Sequence, residues 1–256
     1  MRGRLRCGLI CAAAVARIAG AQELRPQTAN GCVESPAMVN WQDYSGPMQK
    51  LVGTVGRSLE HRAVHPPHYR AGTTLCSLEL KEKFRLFVVD TLDPLPVFSA
   101  GFDAAIGQAR NDDPSFGQGG AGYGRRFATG FAGQVSHRFF TEFAYPAIFS
   151  EDPRYYRMEH GGGRRRLWHA MEHTFVAQRD SGKRIFNSSE WLGTASSVVV
   201  NDTMHPDHDN GLGQVARDTG FAILGDMGFD VLREFWPEIA KKFKMPFRDR
   251  NESAAR

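Results

Sequence analysis

The feature that most constrains the fold is a run of aromatic residues at helical spacing between residues 124 and 149. Large apolar side chains recur there every four residues, at Phe127, Phe131, Val135, Phe139 and Phe143. Gly130 and Gly133 lie between them. A four-residue step lines up side chains along one face of a helix, and glycines on another face let a neighbouring backbone approach closely. The stretch therefore predicts a long helix with an aromatic ridge and glycine-mediated helix contacts.

Helical periodicity also covers residues 78–92, 97–109, 165–179 and 210–239, and the last of these segments is expected to end at Pro237. Residues 188–200 fit a helix, although the valines at 198–200 leave a strand open. No segment has about 18 uninterrupted apolar residues, so a membrane-spanning helix is not expected in the mature chain. We predict a mainly α fold: a helical bundle with glycine-rich close helix packing and a loosely ordered N-terminal arm.

The N-terminus has the composition of an export signal. Residues 1–21 combine a basic start, an apolar run and the small-residue sequence Ala19-Gly20-Ala21. We therefore expect a signal peptide over 1–21, an irregular N-terminal arm over 22–77, a helical domain over 78–243 and a disordered basic tail over 244–256. The expected location is the periplasm or cell envelope of a bacterium.

The charge balance gives no support for nucleic-acid binding. The chain holds 32 basic and 28 acidic residues. The predicted signal peptide contains four arginines and no acid, so its removal leaves 28 residues of each kind. A formally neutral chain lacks the basic surface that nucleic-acid-binding proteins use, and no nucleic-acid partner is expected.

Two of the four cysteines remain after the predicted cleavage. These are Cys32 and Cys76. In an oxidising compartment they suggest one disulfide that closes the N-terminal segment. Two unpaired thiols are the alternative if the chain stays in a reducing compartment.

The most explicit chemical motif is HAMEH, which fits the HxxEH pattern of inverted zinc peptidases. On a helix, His169, Glu172 and His173 share one face, where the two imidazoles could bind zinc and the carboxylate could act as general base. The opposite face carries Trp168 and Phe175. An amphipathic helix would bury that apolar face and turn the histidines toward solvent, and this is the arrangement that we expect.

Two other polar clusters carry a functional and a structural alternative. MHPDHDNG brings His205 and His208 close to two aspartates, which could chelate a divalent ion, but the same residues suit a turn before a helix. Asp226, Asp230 and Glu234 follow one another every four residues. Buried carboxylates could perform acid/base work, whereas an exposed ladder is a solvated helix face. We expect the turn and the solvated face.

Five blocks resemble, in their order and wording, an uncharacterised family of exported bacterial proteins. They are EKFRLFV (82–88), GQGGAGYGRRF (117–127), SEDPRYYR (150–157), DSG (180–182) and LREFWPEI (232–239). The resemblance implies export and a shared helical fold but no reaction, because the family has no assigned activity. HAMEH and Met204-His205-Pro206 depart from the family pattern, so both histidine features are expected to be particular to this chain. Within SEDPRYYR we expect Asp152 to cap a helix that begins at Pro153.

These observations favour an exported cell-envelope protein with a structural or interaction role. Its expected partner is another envelope protein or a membrane surface, and no cofactor is expected. One alternative is a zinc-dependent hydrolase with His169 and His173 as ligands and Glu172 as general base. A second alternative is a helical module that binds a hydrophobic ligand between its phenylalanine-lined helices.

Overall fold

The structure is a computed structural model that describes residues 32–33, 38–64, 74–158, 161–205 and 211–246. The predicted signal peptide, His208 and most of the predicted basic tail lie outside the described residues. As predicted, the fold is mainly helical. The helices are α1 (Gly46–His61), α2 (Leu80–Thr91), α3 (Pro94–Arg110), α4 (Gly119–Arg138), α5 (Tyr145–Phe149), α6 (Gly163–Glu172), α7 (Ser188–Thr203) and α8 (Leu212–Lys242).

Short strands connect the helices. They are β1 (Cys32–Val33), β2 (Ala63–Val64), β3 (Thr74–Leu75), β4 (Glu151–Asp152), β5 (Tyr155–Tyr156), β6 (Val176–Arg179) and β7 (Arg184–Phe186). β1 pairs with β3 and β2 with β5 in parallel, and β4, β6 and β7 form an antiparallel sheet in that order. The expected helix at Pro153 is wrong, because Asp152 is paired in β4 and its carboxylate binds Arg154 instead of capping a helix.

The predicted irregular arm over 22–77 is wrong for residues 46–61, which form α1. Val52, Val55 and Leu59 recur at helical spacing and pack against Trp236 of α8. A Cβ atom added to Gly56 would lie 2.0 Å from the Trp236 ring, so only glycine admits this contact. The sequence did not predict this helix because glycine has a low helix propensity. The same glycine permits the close packing that stabilises α1.

The aromatic segment forms one continuous helical rod. α4 passes through a π-helical turn at Phe139–Ala144 into α5. Its ridge packs on α2, with Phe143 5.1 Å from Phe84 between ring centroids. On another face, a Cβ added to Gly133 would lie 2.4 Å from Oδ1 of Asn201 in α7. The predicted aromatic ridge is confirmed. The predicted close approach at the glycines is confirmed at Gly133, by a side chain, and is wrong at Gly130, where an added Cβ would meet nothing within 4 Å.

Two predicted helix boundaries need correction. The segment 165–179 is helical only to Glu172, and residues 176–179 form strand β6. α8 does not stop at Pro237 but continues to Lys242. Proline removes the hydrogen bond to the carbonyl four residues earlier. That carbonyl, of Arg233, instead accepts a hydrogen bond from the guanidinium of Arg157, so the helix passes through Pro237 with the acceptor satisfied.

The interior is unusually polar and much of the surface is apolar. The buried apolar cluster around Leu59 and Trp236 is small, whereas fully enclosed side chains include Glu142, Glu151 and Glu234. Phe98 is 72% exposed, and many other large apolar side chains are exposed with it. Within the described ranges, no helix combines the length and apolar character needed to cross a membrane.

The disulfide prediction is supported at one of its two cysteines. Cys76 is disulfide-bonded. The backbone of Cys32 pairs with that of Thr74, two residues before Cys76. The identity of Cys32 as the partner stays a prediction.

Candidate functional site

The HxxEH helix faces the opposite way from the orientation that we expected. Trp168 is 70% exposed, and Phe175 is also exposed. The histidines point inward: Nε2 of His169 donates to the Tyr156 carbonyl at 2.8 Å, and Nδ1 of His173 lies 2.7 Å from Oδ2 of Asp230. The helix turns its polar side inward because a carboxylate and a backbone carbonyl there satisfy both imidazoles.

Part of this arrangement is what a metal site requires. A metal-binding histidine commonly donates its second ring nitrogen to a carboxylate or carbonyl, as His169 and His173 do. Both rings and Glu172 border a cavity of about 40 Å³. However, Glu172 accepts a hydrogen bond from Arg184 at 2.7 Å. In the part of the chain that the structure describes, no three His, Cys, Asp or Glu residues form a group that could hold a metal ion.

His205 belongs to a different part of the bundle. Its Nδ1 donates to the Asn201 carbonyl at 2.9 Å, and its ring lies 5.7 Å from Phe116. His205 does not share a cavity lining with His169 and His173. The predicted metal-binding pair of His205 and His208 stays untested, because His208 lies outside the described residues.

The carboxylate ladder of α8 faces inward, contrary to the solvated face that we expected. Each carboxylate meets a partner from a different segment. Oδ2 of Asp226 lies 3.3 Å from Nε2 of His137, and Asp230 binds His173. Glu234 is completely buried and accepts from the Tyr155 hydroxyl at 2.8 Å. Asp230 and Glu234 are thus buried paired acids, whereas Asp226, whose side chain is 31% exposed, lines the cavity described below.

These pairings shift the pKa values of the acids in different directions. Burial opposes ionisation of Asp230, but His173 and Arg233 outweigh it and hold the pKa of Asp230 at about 2. For Glu190, burial and the charge of Asp226 outweigh the favourable charges of His137 and Arg62 and raise its pKa to about 8. The direction of each shift thus depends on whether the neighbouring bases outweigh burial.

A cavity of about 980 Å³ lies between α1, α3, α4, α7 and α8. Charged side chains line much of it: Arg62, Asp103, Arg138, Glu142, Asp202, Arg217, Asp218, Asp226 and Arg233. On α8 the lining residues run from Gln214 to Arg233, which corresponds to about 28 Å of helix at 1.5 Å per residue. The polar face of α8 therefore forms one long wall of the cavity.

Three charged side chains form the inner end of this cavity. Arg62 follows α1, and Arg138 and Glu142 belong to the helical rod. Oε1 of Glu142 accepts from Nη1 of Arg62 at 3.3 Å and from Nη1 of Arg138 at 3.2 Å. Oε2 of Glu142 is buried and has no hydrogen-bond partner among the described residues. Burial and the neighbouring Asp90 raise the pKa of Glu142 in spite of the two arginines. Charged groups here remain partly unsatisfied.

Halfway along the cavity, Ser197, His137 and Asp226 form a serine, histidine and aspartate set. Nδ1 of His137 lies 3.3 Å from the Ser197 hydroxyl, which itself donates to the Thr194 carbonyl at 2.8 Å. Because its proton is directed at Thr194, the hydroxyl accepts from Nδ1 of His137. Oδ2 of Asp226 lies 3.3 Å from the other ring nitrogen, an ion-pair contact rather than a hydrogen bond. Burial opposes the imidazolium, yet Asp226 raises the pKa of His137. A ring nitrogen that donates to Ser197 cannot also remove its proton, so this arrangement does not activate Ser197 as a nucleophile.

Sequence reasoning missed most of this site. His137, Arg138 and Glu142 lie within the aromatic segment. The prediction for that segment rested only on its apolar spacing and its glycines. Three ionisable groups within six residues of an otherwise apolar helix were the available signal, because such groups need buried partners. Arg62 and Glu190 gave no comparable signal.

Comparisons with family models, curated proteins and solved structures gave no match to this chain.

Proposed function

We propose that this chain is an exported helical protein that binds a small polar molecule in the cavity between α1, α3, α4, α7 and α8. The observation that carries the proposal is the cavity itself. Its volume, about 980 Å³, lies at the upper end of the range of about 300 to 1,000 Å³ typical of ligand pockets. A cavity of this size that is lined by charged groups destabilises a helical bundle unless its contents form hydrogen bonds with those groups.

The wall chemistry favours a polar ligand over the hydrophobic ligand that was one of our expectations. An apolar molecule would displace water from the partly exposed side chains of Arg138, Arg217 and Asp226 without offering them hydrogen bonds. Desolvating an unpaired polar group costs on the order of 1–3 kcal/mol, and more when the group is charged. A molecule with several hydroxyl, amide or charged groups would instead replace the lost water contacts.

Export and a place in the cell envelope belong to the same proposal. The signal sequence supports export, and the apolar surface supports contact with other envelope components. Phe102 and Phe221 are 67% and 65% exposed, and exposed apolar surface marks an interaction site where it is contiguous. Cell fractionation tests this part: uncleaved chain confined to the cytoplasm would refute it.

Gly130 offers a specific test of ligand binding. It lines the cavity, and a Cβ added there meets nothing within 4 Å. Gly130→Leu should therefore fill part of the cavity without strain. Gly124 is in the same helix, has the same free space and does not line the cavity, which makes Gly124→Leu a matched control.

The experiment exposes each purified full-length chain to an extract of polar metabolites by dialysis and identifies the enriched compounds by mass spectrometry. We expect the wild type and Gly124→Leu to enrich the same compound, and Gly130→Leu to lose at least about 90% of it, a tenfold weakening worth about 1.4 kcal/mol. Enrichment that survives in Gly130→Leu, or that is absent from the wild type, would refute the cavity as a binding site.

A zinc hydrolase is the second candidate, and one observation favours it. His169 and His173 each commit one ring nitrogen to an acceptor and border the same cavity of about 40 Å³ as Glu172. Zinc requires a third protein ligand in such sites. Metal analysis of protein purified without added zinc decides this candidate: about one zinc per chain, lost in His169→Ala, would establish a zinc site.

A further inference from the structure

We propose that the outer end of the cavity binds an organic cation, that is, the protonated amine or guanidinium group of a polar molecule. This inference rests on the proposed ligand-binding function and adds the chemical class of the ligand. Asp202 would be the principal contact for the cationic group.

The helix contacts define which residues share the outer end. Ser99 of α3 hydrogen-bonds Gln134 of α4, and Gly133 of α4 contacts Asn201 of α7. Residues next to these positions therefore lie at one level of the bundle. His137 and Asp226 lie about one helical turn further in, where they meet each other.

Among the residues that the structure describes, acidic side chains outnumber basic ones at the outer end. Asp103, Asp202 and Asp218 line the cavity there, and Arg217 is the guanidinium among the described residues at this level. Arg217 is already engaged, since it donates to Gln214 at 2.7 Å and lies 3.6 Å from Asp218. His205 lines the same end and donates a ring N–H to the Asn201 carbonyl. Asp218 also accepts from Gln214 at 2.7 Å. Among the described residues, three carboxylates at this end therefore share one guanidinium that is already engaged.

Asp202 provides independent evidence for a missing partner. It is 5% exposed, and its Oδ2 is buried with no hydrogen-bond partner in the described part of the chain. A buried carboxylate is strongly destabilising when nothing compensates its charge. A cationic group of a ligand in the cavity would compensate the charge of Asp202. Basic side chains compensate buried carboxylates in the same way elsewhere in this bundle.

The occupant is an organic cation rather than a metal ion. No three acidic, histidine or cysteine residues in the described ranges are grouped closely enough to hold a metal. An ammonium or guanidinium group is suited to more widely spaced acceptors, because it projects several N–H donors in different directions. The remaining polar wall includes Nε of Arg233, which has no hydrogen-bond partner in the described ranges, so acceptors on the body of the molecule would suit this wall.

Three sugars of one scaffold test the charge preference directly. Glucosamine carries an ammonium group, glucose is neutral, and glucuronate carries a carboxylate. Each is titrated into the full-length chain at pH 7 and low salt by calorimetry. We expect glucosamine to bind at least about tenfold more tightly than glucose, a difference of about 1.4 kcal/mol, and glucuronate to bind most weakly. Equal affinities, a preference for glucuronate, or no glucosamine binding at about 10 mM would overturn the proposal.

Two variants at one position identify the residue. Asp202→Asn keeps the shape and removes the charge, so the preference for glucosamine should disappear, while Asp202→Glu keeps the charge and should retain a preference. Survival of the preference in Asp202→Asn would overturn the role of Asp202. If Asp202→Asn fails to fold by circular dichroism, the wild-type titrations still decide the charge preference.

The dialysis experiment separates failure of this inference from failure of the proposed function. A cavity-dependent compound that contains no basic nitrogen would leave the binding function standing and refute the organic cation. If the wild type enriched no cavity-dependent compound, both the binding function and the organic cation would be refuted.

Discussion

Replacement of Asp230 by asparagine tests the buried carboxylate ladder quantitatively. Asp230 is 5% exposed and accepts hydrogen bonds from His173 at 2.7 Å and from Arg233 at 2.5 Å. Its pKa falls from 3.8 to about 2 in the folded chain. At about 1.4 kcal/mol per pKa unit, this shift corresponds to roughly 2–3 kcal/mol of stability at neutral pH. We expect Asp230→Asn to lose about that much, because the asparagine cannot pair with the two bases.

The pH dependence of this loss follows from the direction of the shift. A lowered folded-state pKa means that ionised Asp230 stabilises the fold above pH of about 4, and this contribution disappears as the pH falls through about 2. The difference in unfolding free energy between wild type and Asp230→Asn should therefore be full at pH 7 and shrink steadily below about pH 4. Urea denaturation of both chains at a series of pH values measures it.

A surface pair provides the control for this experiment. Glu172 binds Arg184, and their side chains are 42% and 62% exposed. Exposed pairs contribute at most about 1 kcal/mol, so Glu172→Gln should change stability little at any pH. If Asp230→Asn behaved like Glu172→Gln, or if its effect did not depend on pH below 4, the ladder would not be the buried ionic element that we describe.

Three further predictions concern packing, orientation and pH. Gly56→Ala should destabilise the fold by about 1–3 kcal/mol in urea denaturation, because its Cβ would lie 2.0 Å from the Trp236 ring; an unchanged midpoint would refute the contact. Trp168→Ser should change the unfolding free energy by less than about 0.5 kcal/mol, since the ring is 70% exposed, whereas a buried tryptophan would cost several times more. The raised pKa of His137 means that its pairing with Asp226 stabilises the fold below the unfolded-state pKa and is lost as the pH rises through the folded-state pKa. NMR titration should give His137 a lower pKa in Asp226→Asn, and an unchanged pKa would contradict the pairing.

The helices that sequence predicted best are those in which local pattern and packing agree. In the helical rod the four-residue spacing of phenylalanines matches the ridge that packs on α2, with Phe87 5.8 Å from Phe139 between ring centroids. In α1 the local signal was weak, because Gly53 and Gly56 contribute nothing to a hydrophobic pattern even though large rings pack directly on them. The spacing of apolar residues indicates a helix only where the apolar side chains of that helix make the packing contacts.

The orientation of α6 could not be predicted because it depends on distant partners. Taken alone, the helix has an apolar face with Trp168 and a polar face with two histidines, and burial of the apolar face is the ordinary outcome. The structure reverses it because Asp230, on a helix almost 60 residues away, and the Tyr156 carbonyl accept from the histidines. The same reasoning applies to the carboxylate ladder, whose spacing was visible but whose partners were not.

The most direct test of ligand binding is native mass spectrometry of the full-length chain isolated from the compartment to which it is exported. The cavity of about 980 Å³ has room for one small polar molecule. We predict a defined adduct with one molecule per chain, released by mild collisional activation and absent from Gly130→Leu but present in Gly124→Leu. A spectrum of the bare chain alone, or an adduct that Gly130→Leu retains, would contradict a ligand-binding cavity.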